Sequence, residues 1–290
     1  MHPTPTSRDR RGCKPFFTNR LLRLYPALYF CFAATVLSVY LSGYFNTAFS
    51  PRQFAIWGVT SLTFFQFYNP DFLRGYDVGA INGSLWTIAV ELQFYMLAPI
   101  LYFALNRYRK LVGIAFVLFV AANMVNTIYN DKESPAWKLY AVSFIPWFYM
   151  FIGGAYLSAD AALYERILKG HPLLYLVAYL VTYAPSAWLE LGTNNDVNVV
   201  CYALLVAFIF RVAFYKRELS NNILHGNDVS YGVYIYHMPI VNLLLYLGLQ
   251  DAYAYLWLAL TATAAIAIFS WFCIEKPSLK LKKISLRRHV

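Results

Sequence analysis

Apolar runs of about 20 residues recur along the whole 290-residue chain. Crossing ~30 Å of hydrocarbon takes about that many helical residues. Runs of this length recur near 24–45, 85–105, 111–129, 138–158, 172–190, 197–214, 229–249 and 253–273. A chain with so many such runs buries its backbone in lipid, where only helices and closed barrels satisfy every N–H and C=O. The expected fold is therefore all-α, a polytopic transmembrane helical bundle of about eight spans. Composition agrees: 60% of residues are hydrophobic, 19% aromatic and only 13% charged, which excludes disorder and fits a soluble domain poorly.

A shorter apolar piece, 54–68, is flanked by Arg52 and by Asn69-Pro70-Asp71. Basic residues collect on the cytoplasmic side of membrane proteins, and that rule decides how to treat the piece. If 54–68 re-enters or lies in the interface, both tails and the segments 106–110, 159–171 and 211–228 fall on one side. Of the 24 Lys and Arg residues, only Arg52, Arg74, Lys132 and Lys138 then lie outside. The expectation is a single membrane domain over 1–290. It has a basic cytoplasmic tail at 1–23, a membrane bundle at 24–273 and a second basic cytoplasmic tail at 274–290. Residues 46–84 form an extracytoplasmic cap, and the chain sits multi-pass in a cell (inner or plasma) membrane with both termini cytoplasmic. The net charge of +10 is spent on orientation and on contact with the lipid bilayer, which argues against nucleic acid as a partner. Cys13, Cys31, Cys201 and Cys273 show no C-x-x-C spacing, and no His/Cys/carboxylate cluster has ligand spacing, so no metal is expected.

Glu91 is the one acidic residue in the interior of an expected span, Glu190 standing at the very end of its own. It lies roughly 9–10 Å beyond the Gly83-Ser84-Leu85 entry at ~1.5 Å per residue. An ionisable group there costs roughly 2.5–3.5 kcal/mol or more unless it meets a partner or a polar cavity. Tyr95 follows four residues later on the same face. His237 lies about eight residues into its span, with Ser230 and Tyr234 on its face. Pro239 cannot donate a backbone bond and should leave a carbonyl free beside that face. Arg20 and Arg23 stand three apart at a helix entrance. They suit bidentate phosphate binding, or equally snorkelling to lipid headgroups. Trp147, Tyr149 and Gly153-Gly154 read as helix packing. Asn123 and Asn126 read as partners for interhelical hydrogen bonds, while Tyr44, Tyr68, Tyr76 and Trp86 fall near the outer surface.

Four phrases resemble the acyltransferase-3 family of integral membrane acyltransferases, which move acyl groups onto sugars. Phe17-Thr18-Asn19-Arg20-Leu21-Leu22-Arg23-Leu24-Tyr25-Pro26 resembles its Arg-x-x-Arg-x-Tyr-Pro entry to a third helix. The segment from Gly83 through Trp86, Glu91 and Gln93 to Tyr95 resembles its Ser-Leu-Trp-Thr-x-x-x-Glu-x-Gln-Phe-Tyr. Val229 to Pro239 resembles Ser-Tyr-x-x-Tyr-x-x-His-x-Pro, and Ile274-Glu275-Lys276-Pro277 its closing Glu-Lys-Pro. The resemblance implies that an acetyl or similar group passes from acetyl-CoA or another acyl-CoA to a hydroxyl of a glycan, a lipid-linked saccharide or an exported small molecule. The acyl-CoA is a donor substrate, with no bound cofactor. It further implies Glu91 and His237 as catalytic residues and Arg20 and Arg23 as donor-binding ones. Ser84, Trp86, Tyr95, Ser230 and Tyr234 would contact substrate. Family members begin with two more helices, the first carrying the catalytic-base His. Here His2 lies in a polar tail and inherits no such role. That departure sets two rivals beside the enzyme: an inactive, shortened relative that binds substrate or a partner, and a saccharide transporter.

Overall fold

The computed structural model describes residues 13–76, 78–128, 134–188, 198–215, 222–249 and 253–287. Among them the chain is helical with no strand. Its contacts divide it into two compact units. The first takes Met1–Tyr95 and Asn227–Val290, and the second Met96–Gly226.

In the first unit α1 spans Cys13–Leu41, α2 Pro51–Ser61, and α3 begins at Trp86 and runs on to Arg107. The C-terminal part adds α10 (Ser230–Tyr246), α11 (Tyr253–Ser270), a π-turn at Trp271–Glu275 and α12 (Lys276–Arg287). Helix α10 crosses α11 closely because Gly232 has no side chain: a Cβ there would stand 3.0 Å from Ala267 Cα. Tyr231 and Tyr236 of α10 reach the Leu24 and Ala27 carbonyls of α1, at 3.1 and 3.2 Å. The core between these helices contains Leu28, Cys31, Ile88, Leu92, Ile235 and Ala267.

A second core lies under 44–81. Tyr76 is 1% exposed and stacks on Tyr246 with centroids 4.6 Å apart, while Tyr44 packs edge-on against both. Tyr44 and Tyr76 are thus inside, where sequence position had suggested an outer aromatic surface. Helix α2 has eleven residues, about 16 Å at ~1.5 Å per residue, too short to cross alone.

The second unit holds α4 (Arg109–Ile128), α5 (Pro135–Ala141), α6 (Phe148–Ala159), α7 (Ala161–Lys169), α8 (Pro172–Trp188) and α9 (Val199–Ala213). Asp160 caps α7 by accepting from Leu163 N–H at 3.0 Å, and it pairs with Arg109 at 2.9 Å. Tyr202 donates to the Met150 carbonyl at 2.9 Å. A Cβ on Gly153 would make ordinary contact with Tyr202 and Phe116, whereas one on Gly154 would meet nothing within 4 Å among the described residues. Asn123 is buried; the Asn126 side chain lies outside the described residues.

Among the described residues three helices are long and apolar enough to cross a membrane: Pro15–Leu41, Gly83–Arg107 and Tyr253–Leu281. The count rises to five if each of two bent pairs is one span, Pro135–Ala141 with Ile145–Ala159 (41°) and Ala161–Lys169 with Pro172–Trp188 (91°). This is a membrane protein whose described residues hold fewer such helices than the eight runs suggest. The first and last spans also extend beyond the apolar runs at 24–45 and 253–273. Arg20 and Arg23 lie within a helix, and helical backbone continues past 273 into the basic C-terminal segment.

Candidate active site

All nine residues that the resemblance implies for the site belong to the first unit. They gather in two groups joined by one face of α3.

The first group forms around Pro239. Without an N–H, Pro239 cannot bond the carbonyl four residues earlier, Ile235. That carbonyl instead accepts from Asn82 Nδ2 at 2.8 Å and from Cys31 Sγ at 3.2 Å. Ser84 Oγ donates to Asn82 Oδ1 at 2.7 Å, which fixes the direction of the amide. Tyr234 donates its hydroxyl to the Ser84 carbonyl at 2.7 Å and meets the Thr87 hydroxyl. His237 Nδ1 stands 2.6 Å from the Tyr234 carbonyl. A carbonyl only accepts, so Nδ1 carries the hydrogen and Nε2 of the neutral ring carries the lone pair. Ser84 and Tyr234 therefore orient the backbone around His237. Trp86 is half-buried at the start of α3.

The second group forms where α1 meets α3 and the α10 entry. The Tyr95 hydroxyl donates to Glu91 Oε1. The Arg20 guanidinium lies over the Tyr95 ring at 4.9 Å and over Phe16 at 5.5 Å, a geometry in which the ring faces attract the cation. Arg23 pairs with Asp228 at 2.6 Å. Ser230, expected beside His237, instead donates its hydroxyl and its backbone N–H to Asp228 Oδ1, at 2.6 and 3.2 Å. A cavity of about 450 Å³ opens here, lined by Phe16, Asn19, Arg20, Arg23, Asp228, Trp271 and Leu279.

Ser84, Thr87, Glu91 and Tyr95 recur at spacings of three, four and four, so they form one stripe. At ~1.5 Å per residue it runs about 16 Å from the His237 group to the Arg20 group.

Two acidic residues join the site to which the sequence reading gave no role. Asp228 sits in a loop, and nothing local marks it as the partner of Arg23. Glu275 is 2% exposed and accepts from Ser270 Oγ at 2.9 Å, with the Tyr236 hydroxyl 2.9 Å from the same serine. Pro277 offers no N–H to the Cys273 carbonyl, which interrupts the α ladder at this turn. Lys276 N–H reaches back five residues to Trp271, the signature of a π-turn. The turn also supplies Trp271 to the cavity, its indole N–H donating to Asn227 Oδ1 at 2.9 Å. The Glu-Lys-Pro phrase was the available signal, but ending the span at 273 had assigned it to a tail. Among the described residues no group of three or more His, Cys, Asp or Glu can hold a metal.

The acyltransferase-3 family, described as an acyltransferase domain, matches residues 2–275. The chain is 26% identical over 297 aligned positions to nodulation protein 10 of Rhizobium leguminosarum bv. viciae, covering 95% of this chain and 78% of that protein. It is 25% identical over 271 positions to an O-acetyl transferase of Shigella phage Sf6, covering 90% and 76%. A Bacillus subtilis (strain 168) protein carrying the provisional name peptidoglycan O-acetyltransferase YrhL is 23% identical over 290 positions, covering 91% of this chain and 45% of that protein. No solved structure matches.

Proposed function

The chain belongs to the acyltransferase-3 family of membrane O-acyltransferases, and from that premise we propose that it moves an acetyl or similar acyl group from cytoplasmic acyl-CoA to a hydroxyl of a glycan. The observation that carries this reading is the stripe Ser84–Thr87–Glu91–Tyr95, which leads from a cavity holding two arginines to a histidine with its basic nitrogen available. A saccharide or lipid-linked saccharide acceptor is supported by the relative named for peptidoglycan O-acetylation.

Arg20 and Arg23 bind the phosphates of the donor, with Tyr95 and Ser230 at that end. The acyl-bearing arm lies along the α3 stripe, and Ser84, Trp86 and Tyr234 flank the acceptor. The acceptor hydroxyl oxygen bonds to the acyl carbon as its proton passes to His237 Nε2. The thioester C–S bond breaks, and the leaving thiolate takes up that proton. The Tyr234 carbonyl keeps its bond to Nδ1–H throughout and stabilises the imidazolium. Glu91, held by Tyr95, supports the donor arm where it passes along the stripe. The arginines mark the cytoplasmic end of this path. The partition of Lys and Arg supports eight spans in a plasma or inner membrane, both termini cytoplasmic and 54–68 re-entrant.

The test is acyl transfer in membranes containing this chain, with radiolabelled acetyl-CoA and host glycan. Label should enter the glycan. His237→Ala should lower the rate by about 10²–10⁴-fold, the usual contribution of a positioned base, and Glu91→Gln should lower it less. Label that survives both substitutions unchanged would move the chemistry elsewhere, and saccharide uptake without label would make the protein a transporter.

A further inference from the structure

We propose that Asp228 sets the affinity for the donor by competing with its phosphate for Arg23. This rests on the reading of the 450 Å³ cavity as the donor site. Two cations line that cavity, and they are held differently. Arg20 lies against two aromatic faces, which take up none of its N–H donors. Arg23 already gives its Nη2 to a carboxylate at 2.6 Å. A phosphate arriving at Arg23 meets a guanidinium in an existing charge-assisted bond and a carboxylate beside it. Both side chains of the pair are nearly half exposed, so the bond is weak enough to exchange.

The second oxygen explains why the carboxylate does not simply swing away. Asp228 Oδ1 accepts from the hydroxyl and the backbone N–H of Ser230 at the first turn of α10. The group is anchored there whether or not Oδ2 holds Arg23. An anchored competitor lowers donor affinity by a fixed factor. Product release benefits equally, since Asp228 takes Arg23 back as the spent coenzyme leaves.

Asp228→Asn separates the two roles. Asparagine keeps an oxygen for Ser230, as it does at other helix starts, and removes the charge that holds Arg23. The probe is coenzyme A, titrated into the purified full-length chain in phosphatidylcholine nanodiscs. Asp228→Asn should bind it about two- to fivefold more tightly, the range of a partly exposed ion pair. The gain should vanish in an Arg23→Ala background, because a competitor acts only through the group it competes for. A gain that persists without Arg23 would mean plain repulsion and would overturn the proposal, as would unchanged or weaker binding in Asp228→Asn. If coenzyme A binds neither the wild type nor any variant, the donor-site reading itself fails. A dependence on Arg23 and Asp228 seen only in melting curves as phosphatidylglycerol is added would assign the pair to lipid headgroups and overturn the proposal too.

Discussion

The two units solve the same problem, burying helices with few charges, in different ways. The second unit ties itself together over short stretches of chain. Tyr202 reaches a carbonyl 52 residues away, Arg109 an aspartate 51 away and Arg211 a carbonyl 41 away. In the first unit the corresponding ties join residues 150 to 209 apart, among them Tyr234 to Ser84, Arg23 to Asp228 and Tyr236 to Ala27. Every candidate site residue lies in that unit. A catalytic constellation must hold its groups within a fraction of an ångström, and polar ties between distant segments fix such positions better than non-directional apolar contact does. The second unit adds aromatic packing such as Phe119 against Phe148 and Tyr149 against Tyr202 to its shorter-range ties.

The sharpest way to break this comparison uses one glycine from each unit. A Cβ at Gly232 would lie 3.0 Å from Ala267 Cα and 3.3 Å from its carbonyl oxygen, and backbone cannot step aside as a flexible side chain can. Gly232→Val should destabilise by about 3 kcal/mol, the upper end of overpacking costs, and should separate α10 from α11 enough to abolish transfer. Gly154→Ala in the second unit has open space and should stabilise by about 0.5–1 kcal/mol, because helical glycine is entropically costly. Thermal melting in detergent micelles reads both. Equal effects would erase the contrast.

A second pair sharpens it through hydrogen bonds. Asn82→Ala strips the Ile235 carbonyl of its amide donor and Ser84 of its acceptor. Leaving a part-buried group so deprived costs about 1–3 kcal/mol, and the loosened backbone under His237 should reduce turnover as well as stability. Tyr202→Phe loses one bond to the Met150 carbonyl and keeps its ring against Tyr149. It should cost about 0.5–1.5 kcal/mol and leave the transfer rate of the surviving fold unchanged. Melting curves and initial rates on the same preparations compare them directly.

Much of this was legible from residue spacing. The i,i+4 relation of Glu91 and Tyr95 anticipates their hydrogen bond, and Pro239 anticipates a carbonyl in need of a donor. What spacing cannot name is the donor. Asn82 sits 153 residues from Ile235, and Asp228 205 from Arg23; such pairings depend on how helices pack, which apolar runs leave open. Ser230 shares a helical face with His237, yet as the first residue of α10 it turns to the loop carboxylate. Helical periodicity assigns faces inside a helix, but at its first turn unmade backbone bonds compete for every polar side chain. The π-turn is a similar case: an i→i+5 step shifts the register just where the sequence pattern was taken to end. Tyr44 and Tyr76 look like interfacial aromatics by position, and only the chain folding back over 44–81 puts them inside.

The smallest expected effect lies at Asp160 in the second unit, and it isolates charge from packing. The Leu163 N–H, first, and then Arg109 hold the Asp160 carboxyl below its ordinary value. A carboxyl whose folded pKa is lowered stabilises the fold fully above the unfolded value, about 3.9 for aspartate, and loses that contribution as pH falls through the folded value. Asp160→Asn keeps a cap for α7 and removes the attraction for Arg109. Its melting temperature should sit slightly below wild type at pH 7, and the gap should close as the pH is taken below 4. High salt at pH 7 should narrow the same gap, since the Arg109 pair is open to solvent and screened. A gap that ignores both pH and salt would show that Asp160 acts through shape alone, and the second unit would then owe nothing measurable to its charges.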